Sequence, residues 1–281
     1  MTRRIESIIE KISAERREKI ERLVGSLVAR DRVLVALSGG VDSVLLAIVA
    51  ADALGDNALA VTAVSPSLPP ADRIDAEAIV KQFSIRHQFI ETDEFEDSEY
   101  LNNPPTRCAI CKRILTCSLQ KVADNEGIET IAFGATVDDA SDYRPGEAIA
   151  LELGAAFPLR DAGLSKADVR ALLKAMDVSI WDKPASACLS SRVPYGSPLS
   201  IDMMKRIAAA ETAVRALGFR IARVRHHGDV ARIEVGADEL ERMRGETAKA
   251  ASAALKRLDY RYVSLDLDGY RTGSLNEGLN G

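Results

Sequence analysis

The sequence predicts an α/β protein whose parallel sheet is covered by helices on both faces, joined to a small C-terminal α+β domain. Two observations predict this fold. Short apolar runs alternate with helix-periodic segments through the first 195 residues, which is typical of parallel strands joined by crossover helices. Beyond residue 195 a helical segment is followed by two strands in direct succession, which ends that alternation.

The N-terminal domain, residues 1–195, begins with an amphipathic helix predicted over 4–29, because isoleucine and leucine recur there at helical spacing. Apolar runs predict the strands that follow, and the periodic segments between them predict the helices. The predicted strands cover 32–37, 58–65, 87–92 and 130–135, and the predicted helices cover 44–54 and 71–82, with a further helix before the fourth strand.

The C-terminal domain, residues 196–281, is set off by Pro194, Gly196 and Pro198, which favour a turn. Its predicted elements are helices over 200–217 and 237–256 and strands over 219–227, 230–235 and 260–267. We expect this domain to serve substrate binding or oligomerisation, and the tail after residue 271 to be frayed.

Composition limits the classes of function. With 281 residues, of which 47% are hydrophobic and 28% charged, the chain has ample material for a globular core. A net charge of −5 argues against a broad nucleic-acid-binding surface, and no apolar run is long enough for a membrane span. The start of the chain does not resemble a signal peptide, and four cysteines without one indicate a reducing compartment. We therefore expect a cytoplasmic protein.

The turn after the first strand carries an unusual run of residues: Ser38, Gly39, Gly40, Val41, Asp42 and Ser43. A strand that ends in Ser-Gly-Gly and leads into a helix presents backbone N–H groups, which bind anions at the positive end of the helix dipole. The sequence matches neither a Walker loop nor a dinucleotide-binding fingerprint. A simple tight turn would account for one glycine but not for the whole run, so the residues favour a phosphate-binding loop.

This SGGVDS run resembles the pyrophosphate-binding loop of the ATP pyrophosphatase (PP-loop) superfamily. The resemblance implies that ATP, assisted by Mg²⁺, is split into AMP and pyrophosphate while a substrate oxygen is adenylylated.

Five further stretches occur in order along the chain: RCAICKRIL, GATVDDASDYRPG, FPLRDAGLSKADVRAL, WDKPASACLSSRVPYG and RVRHHGDVARIEV. Together they resemble the LarE family of ATP-dependent sacrificial sulfur transferases, over nearly the whole chain. That resemblance implies conversion of a carboxylate of pyridinium-3,5-biscarboxylic acid mononucleotide to a thiocarboxylate, on the way to the nickel-pincer nucleotide cofactor.

The stretch GATVDDASDYRPG follows the fourth strand and places acidic residues where ligands bind in open α/β sheets. Asp138, Asp139 and Asp142 could hold Mg²⁺ or ribose hydroxyls, and Gly134 and Arg144 lie in the same stretch. Alone, the stretch would be an acidic solvated loop. Beside the PP-loop it favours a nucleotide site.

Cys188 lies in the polar segment KPASACLSSR, where a thiolate could act as a nucleophile. A free cysteine is more often a small buried hydrophobe, but this segment is too polar for a core strand. The LarE resemblance makes Cys188 the sulfur donor. The resemblance implies that its thiolate attacks the acyl-adenylate, that AMP leaves, and that cleavage of the cysteine C–S bond leaves dehydroalanine.

Cys108 and Cys111 form a C-x-x-C pair near the start of a predicted helix. Packing, redox pairing and metal ligation all fit such a pair. Together with Cys188 they could hold a [4Fe-4S] cluster with one open iron, and some members of the resembled family use such a cluster to carry the sulfide. Sulfur from Cys188 and sulfur from a cluster therefore stay open as alternatives. We expect Cys117, which lies off the face of the pair, to be a packing residue.

The C-terminal domain carries charged residues at positions where a predicted helix and strand would otherwise be apolar. Glu211 interrupts the apolar face of the predicted helix, and Arg223 and Arg225 point to one side of the next strand. These charges are costly in a core but suit a phosphate site, whereas solvated arginines on an edge strand are the alternative. With the resemblance, four residues become candidates for holding the substrate phosphate: Arg192, Glu211, Arg223 and Arg225.

Two other classes of function remain. A PP-loop enzyme that thiolates tRNA would also use ATP and cysteines, but the acidic balance argues against it because tRNA binding depends on phosphate neutralisation. A non-catalytic module that binds adenine nucleotides is the third class. For partners we expect a small-molecule mononucleotide and a homo-oligomer, and neither a membrane nor nucleic acid.

Overall fold

The computed structural model describes residues 3–141, 145–271 and 273. In chain order, the α-helices of this part are α1 (Arg3–Ile8), α2 (Ala14–Val28), α3 (Val41–Leu54), α4 (Pro70–Phe83), α5 (Ser98–Leu101), α6 (Arg107–Glu126), α7 (Pro145–Glu152), α8 (Pro158–Asp161), α9 (Lys166–Ala175), α10 (Ile201–Arg215) and α11 (Gly245–Lys256). The strands are β1 (Val33–Ala36), β2 (Ala58–Val64), β3 (His87–Glu91), β4 (Thr130–Ala132), β5 (Ala222–His227), β6 (Val230–Val235) and β7 (Tyr262–Leu265). Apart from Gly273, the tail that we expect to fray lies outside the described residues.

The chain forms two compact units. The N-terminal unit runs up to Ser65 and takes in Pro70–Glu94 and Thr106–Ser186. The C-terminal unit consists of Pro66–Pro69, Phe95–Pro105 and the chain from Ala187 onward. It therefore includes Cys188 and two short segments from earlier in the chain. The domain boundary predicted at 195/196 stays a prediction.

The sheet of the N-terminal unit has the strand order β3-β2-β1-β4, and every neighbouring pair is parallel. Successive side chains of β1 point to opposite sides, so Val33 and Val35 join one hydrophobic cluster while Leu34 joins the other. Residues of α2, α3 and α9 complete the first cluster, and residues of α6 and α7 complete the second. The predicted parallel sheet with helices on both faces is confirmed.

Helix α3 lies at the centre of the N-terminal unit, and every residue from Ser43 to Ala50 is buried. The sequence predicts this helix from residue 44, but it begins at Val41. The last residues of the SGGVDS run therefore form the first turn of the helix, with Gly40 as the N-cap residue.

Two predicted helices are wrong as single elements. The helix predicted over 4–29 is interrupted by a 3₁₀ turn at Ile9–Lys11 and starts again where the Ser13 hydroxyl accepts a hydrogen bond from the Arg16 backbone N–H. Apolar spacing continues across this break, which is why periodicity did not reveal it. The helix predicted over 237–256 is likewise a 3₁₀ segment, Ala237–Arg242, followed by α11.

The C-terminal unit contains a smaller sheet with the order β5-β6-β7. Strands β5 and β6 form an antiparallel hairpin, and β7 pairs with β6 in parallel. Its core is a hydrophobic cluster that includes Val214 of α10, Val224 of β5 and Leu255 of α11. The predicted small α+β arrangement is confirmed.

Candidate functional site

The phosphate loop, residues 38–43, connects β1 to α3. Gly39 has a φ of 75°, a conformation that L side chains rarely adopt. A Cβ at this position would lie 2.3 Å from the backbone oxygen of Asp72, at the start of α4. Both constraints require glycine at position 39.

Hydroxyl groups hold the phosphate loop in a closed turn. The Ser43 hydroxyl accepts a hydrogen bond from the Ser38 backbone N–H at 3.1 Å and donates one to the Gly40 carbonyl at 3.0 Å. Gly134, just after β4, packs so closely that its Cβ would lie 2.6 Å from the Ser43 backbone nitrogen. The structure thus brings Gly134 to the start of α3, and its role in binding the nucleotide stays a prediction.

Lys166, the first residue of α9, joins the phosphate loop to the acidic stretch after β4. Its ammonium group forms an ion pair with Asp42 and lies 3.3 Å from Oδ2 of Asp139. Its backbone N–H donates a 2.6 Å hydrogen bond to Asp138. The structure therefore brings Asp42, Asp138 and Asp139 together around one lysine. Asp142 and Arg144 lie outside the described residues.

Lys183 contacts the other side of the loop. Its ammonium group donates a 3.0 Å hydrogen bond to the Gly39 carbonyl and lies 2.8 Å from Oδ1 of Asp72. The Ser186 hydroxyl donates to Oδ2 of the same aspartate at 2.7 Å. Sequence reasoning missed Lys166, Lys183 and Asp72. The two lysines lie within quoted motifs, but only the folded chain shows that they touch the loop and its neighbours.

The thiol segment, residues 187–192, carries Cys188 at the start of a short 3₁₀ turn. The cysteine is half-buried, so it is not the buried packing residue of the alternative interpretation. Its carbonyl accepts hydrogen bonds from the Ser191 hydroxyl at 2.7 Å and from Arg192 at 3.1 Å. The buried hydroxyls of Ser190 and Tyr100 lie 2.8 Å apart, and this hydrogen bond ties the turn to α5.

Arg192 and Glu211 form a fully buried ion pair, with Nε 2.7 Å from Oε1. Burial opposes both charges, but their mutual attraction raises the pKa of Arg192 and lowers the pKa of Glu211. Glu211 also accepts from Arg215 at 2.7 Å and from the Val224 backbone N–H at 3.3 Å. Its carboxylate is thus enclosed by donors of the protein.

Arg223 lies beside this pair and is also buried, with its guanidinium 5.3 Å from the centre of the Tyr270 ring. Burial and the nearby charge of Arg192 lower the pKa of Arg223. The four side chains Arg192, Glu211, Arg215 and Arg223 together carry a net charge of +2, so the cluster favours the arrival of an anion.

Arg225 has a different partner from Arg223, although both lie on β5. Its guanidinium forms a two-point contact with Glu234 of β6, at 2.9 and 2.7 Å. Its third nitrogen donates to the Ser191 carbonyl at 2.8 Å. Sequence reasoning missed Glu234, because the alternating VARIEV pattern predicts a strand with one solvated face.

The cysteine pair lies in the first turns of α6, where Cys108 is exposed and Cys111 half-buried. Cys117 is exposed, so its predicted packing role is wrong. In the part of the chain that the structure describes, no three His, Cys, Asp or Glu side chains are grouped to hold a metal ion. The three-cysteine cluster therefore stays a prediction.

Known proteins resemble this chain along most of its length. Residues 12–103 match the NAD synthase family. The pyridinium-3,5-bisthiocarboxylic acid mononucleotide synthase of Lactiplantibacillus plantarum is 36% identical over 258 residues, which cover 92% of this chain and 93% of the relative. An uncharacterized protein of Synechocystis is 40% identical over 263 residues, covering 93% and 97%. None of the helices within the described ranges is long and apolar enough to cross a membrane.

Proposed function

Because the chain belongs to the LarE family of ATP-using PP-loop enzymes, which includes the L. plantarum mononucleotide synthase, we propose that it is an ATP-dependent sulfur transferase. The proposed substrate is pyridinium-3,5-biscarboxylic acid mononucleotide, and the product is a thiocarboxylate for the nickel-pincer nucleotide cofactor. The observation that carries the proposal is the phosphate loop, a strand-to-helix turn in which Gly39 packs against the Asp72 backbone and Gly134 packs against the start of α3.

The phosphate loop supplies the groups that ATP requires. Backbone N–H groups in the first turn of α3 are donors for phosphate oxygens, and the hydroxyls of Ser38 and Ser43 hold the loop that presents them. Lys166 and Lys183 place two positive charges against the loop and its carboxylates. Asp42 would hold Mg²⁺ together with phosphate oxygens of ATP, since Mg²⁺ is usually bound by one or two carboxylates plus substrate phosphates, and the ion supplies charge neutralisation on the polyphosphate when it is bound.

The first step is adenylylation. A carboxylate oxygen of the substrate attacks the α-phosphorus of ATP, the bond from that phosphorus to the β-phosphate oxygen breaks, and pyrophosphate leaves. The resulting acyl-adenylate has a carbonyl carbon that a thiolate can attack.

The second step transfers sulfur from Cys188. Its thiolate forms a bond to the acyl carbon, and AMP leaves with the electron pair of the broken C–O bond. Removal of the cysteine α-proton and cleavage of its Cβ–S bond then release the thiocarboxylate and leave dehydroalanine at position 188. The alternative donor is a sulfide on a cluster held by Cys108, Cys111 and Cys188.

The charge cluster around Glu211 supports binding of the mononucleotide phosphate in the C-terminal unit. Arg192 and Arg225 each hold a carboxylate and backbone carbonyls. Arg223 is buried beside Arg192 and Glu211 and contributes to the net positive charge of the cluster. Because the cluster carries a net positive charge, we place the phosphate against its arginine Arg223, and Glu211 acts by holding Arg192 and Arg215 rather than by touching the substrate.

The proposed function is tested by pyrophosphate release and product mass. The protein is incubated with ATP and Mg²⁺, with the dicarboxylate mononucleotide, with tRNA or with neither. We expect AMP, pyrophosphate and thiocarboxylate only with the mononucleotide. Release that requires tRNA would favour the tRNA-thiolating enzyme, and no release with any acceptor would favour a nucleotide-binding module.

The sulfur source is tested by the mass of the protein after one turnover. If Cys188 is consumed, the peptide around residue 188 becomes lighter by the mass of hydrogen sulfide, and Cys108→Ala keeps this single turnover. If a cluster supplies the sulfide, the anaerobic protein is brown, Cys108→Ala loses iron and activity, and the mass of the peptide does not change.

A further inference from the structure

Two buried arginines hold the backbone of the thiol segment. Arg192 belongs to the segment itself, and Arg225 lies on β5. Nη1 of Arg192 donates to the Ala187 carbonyl at 2.9 Å and to the Cys188 carbonyl at 3.1 Å. Nη1 of Arg225 donates to the Ser191 carbonyl at 2.8 Å. The carbonyls on both sides of the reactive cysteine thus depend on where two guanidinium groups lie.

Each guanidinium is in turn fixed by a buried carboxylate. Arg192 contacts both oxygens of Glu211, at 2.7 and 3.4 Å, and Arg225 contacts both oxygens of Glu234, at 2.9 and 2.7 Å. Glu211 and Glu234 are at most 1% exposed. Two-point contacts between a planar guanidinium and a carboxylate fix orientation as well as distance.

We propose that Glu211 and Glu234 are positioning residues that act through Arg192 and Arg225 to fix the backbone of Cys188. This inference rests on the proposed sulfur transfer, because it assigns the two pairs a role in presenting the thiolate to the acyl-adenylate. The carboxylates repel the substrate phosphate, and their oxygens accept hydrogen bonds from the protein. The effect of Glu234, which lies outside the proposed phosphate site, therefore falls on the rate of the thiol step and not on substrate binding.

Glu234→Gln is the most direct test, because it keeps the size of the side chain but provides only one acceptor oxygen for Arg225. The matched control is Glu241→Gln, which alters an exposed glutamate paired with Arg244 on the surface. Two measurements are made on the full-length protein. The first is the rate at which iodoacetamide alkylates Cys188, followed on its peptide by mass spectrometry. The second is the single-turnover rate of thiocarboxylate formation over a range of ATP and mononucleotide concentrations, where KM denotes the concentration that gives half of the maximal single-turnover rate.

We expect Glu234→Gln to lower the single-turnover rate about 10- to 100-fold, since misplacement of a reacting group by about 1 Å costs about 100-fold. Alkylation of Cys188 should become several-fold faster because the loosened turn exposes the thiol. The KM values for ATP and mononucleotide should stay within about twofold of the wild type, and Glu241→Gln should match the wild type throughout.

Unchanged alkylation and unchanged single-turnover rate in Glu234→Gln would overturn the proposal. So would a loss that appears only as a raised KM for the mononucleotide, since that would make Glu234 part of the binding site. If Glu234→Gln does not fold, Arg225→Lys decides by the same criteria, because lysine keeps the charge but cannot hold Glu234 and Ser191 together. If the wild type transfers no sulfur, the proposed function fails, whereas the alkylation comparison still shows whether the two pairs hold Cys188.

Discussion

The phosphate loop and the thiol segment are held in place by different forces. The loop depends on backbone geometry, because Gly39 and Gly134 leave no space for a Cβ. The thiol segment depends on charge, because buried guanidinium–carboxylate pairs hold its carbonyls. Added side-chain volume should therefore damage the phosphate loop most, whereas a lost charge should damage the thiol segment most.

The largest effect is expected at the loop. Gly39→Val places a branched side chain where φ is 75° and where a Cβ would lie 2.3 Å from the backbone oxygen of Asp72. We expect AMP and pyrophosphate formation to fall at least about 100-fold, as expected when the groups that position a reactant shift by about 1 Å. The measurement is pyrophosphate release at saturating mononucleotide.

Gly25→Val is the matched control, because a Cβ at Gly25 in α2 meets nothing within 4 Å. It should keep ATP turnover close to the wild type. Full turnover in Gly39→Val would show that the phosphates do not bind at this loop.

The next effect compares the two arginines of β5. Arg223→Gln should raise the KM for the mononucleotide about 10- to 100-fold, since hydrogen bonds to charged groups contribute about 1.5–3 kcal/mol. It should leave the KM for ATP and the alkylation of Cys188 unchanged. Arg225→Gln should show the opposite pattern, with altered alkylation of Cys188. Equal behaviour of the two variants would show that they share one role.

Sequence reasoning reached the phosphate loop because its signal is local. A strand, two glycines and a helix start follow one another within ten residues, and their geometry determines their chemistry. The same holds for the alternation that predicts the parallel sheet. The break after α1 escaped notice because apolar spacing continues through Ile12 into the next helix.

The sequence indicated only some members of the charge pairs in the C-terminal unit. Arg223, Arg225 and Glu211 stood out as charges among apolar residues, but nothing in VARIEV indicates that Glu234 is buried. Its position opposite Arg223 in the β5–β6 register brings it to the buried face on which Arg225 lies. Burial of a charge depends on a partner that is distant in sequence, and single-sequence patterns do not specify such partners.

A smaller effect is expected at Lys183, whose ammonium group contacts the phosphate loop at Gly39. Lys183→Met removes the hydrogen bond to the Gly39 carbonyl and the cation next to the buried Asp72. We expect the KM for ATP to rise about tenfold, the equivalent of about 1.4 kcal/mol, with the KM for the mononucleotide unchanged. Lys249→Met, which affects an exposed pair with Glu246, is the control. An ATP KM within twofold of the wild type would mean that glycine geometry alone holds the loop.

The smallest effect on activity is expected at Asp168, a buried carboxylate of the N-terminal unit that lies outside both regions. It caps α9 through Ser165 and accepts hydrogen bonds from Lys19 and Arg16 of α2. Burial alone would raise its pKa, but the contacts with Lys19 and Ser165 prevail and lower the pKa of Asp168 from 3.8 to about 2.

A carboxylate whose pKa is lowered in the folded state stabilises the protein above its unfolded pKa. The contribution of Asp168 should therefore be complete above pH 4 and be lost as the pH falls through about 2. The shift corresponds to at most about 2 kcal/mol in the free energy of unfolding. Asp168→Asn should remove this part of the acid dependence in urea titrations between pH 2 and 5, and Glu21→Gln on the exposed face of α2 should not.

Because Asp168 touches neither the phosphate loop nor the thiol segment, pyrophosphate release and Cys188 alkylation at neutral pH should match the wild type. A large loss of either in a folded Asp168→Asn protein would mean that the capping of α9 also sets the position of Lys166, so that charge pairing supports the loop as it supports the thiol segment.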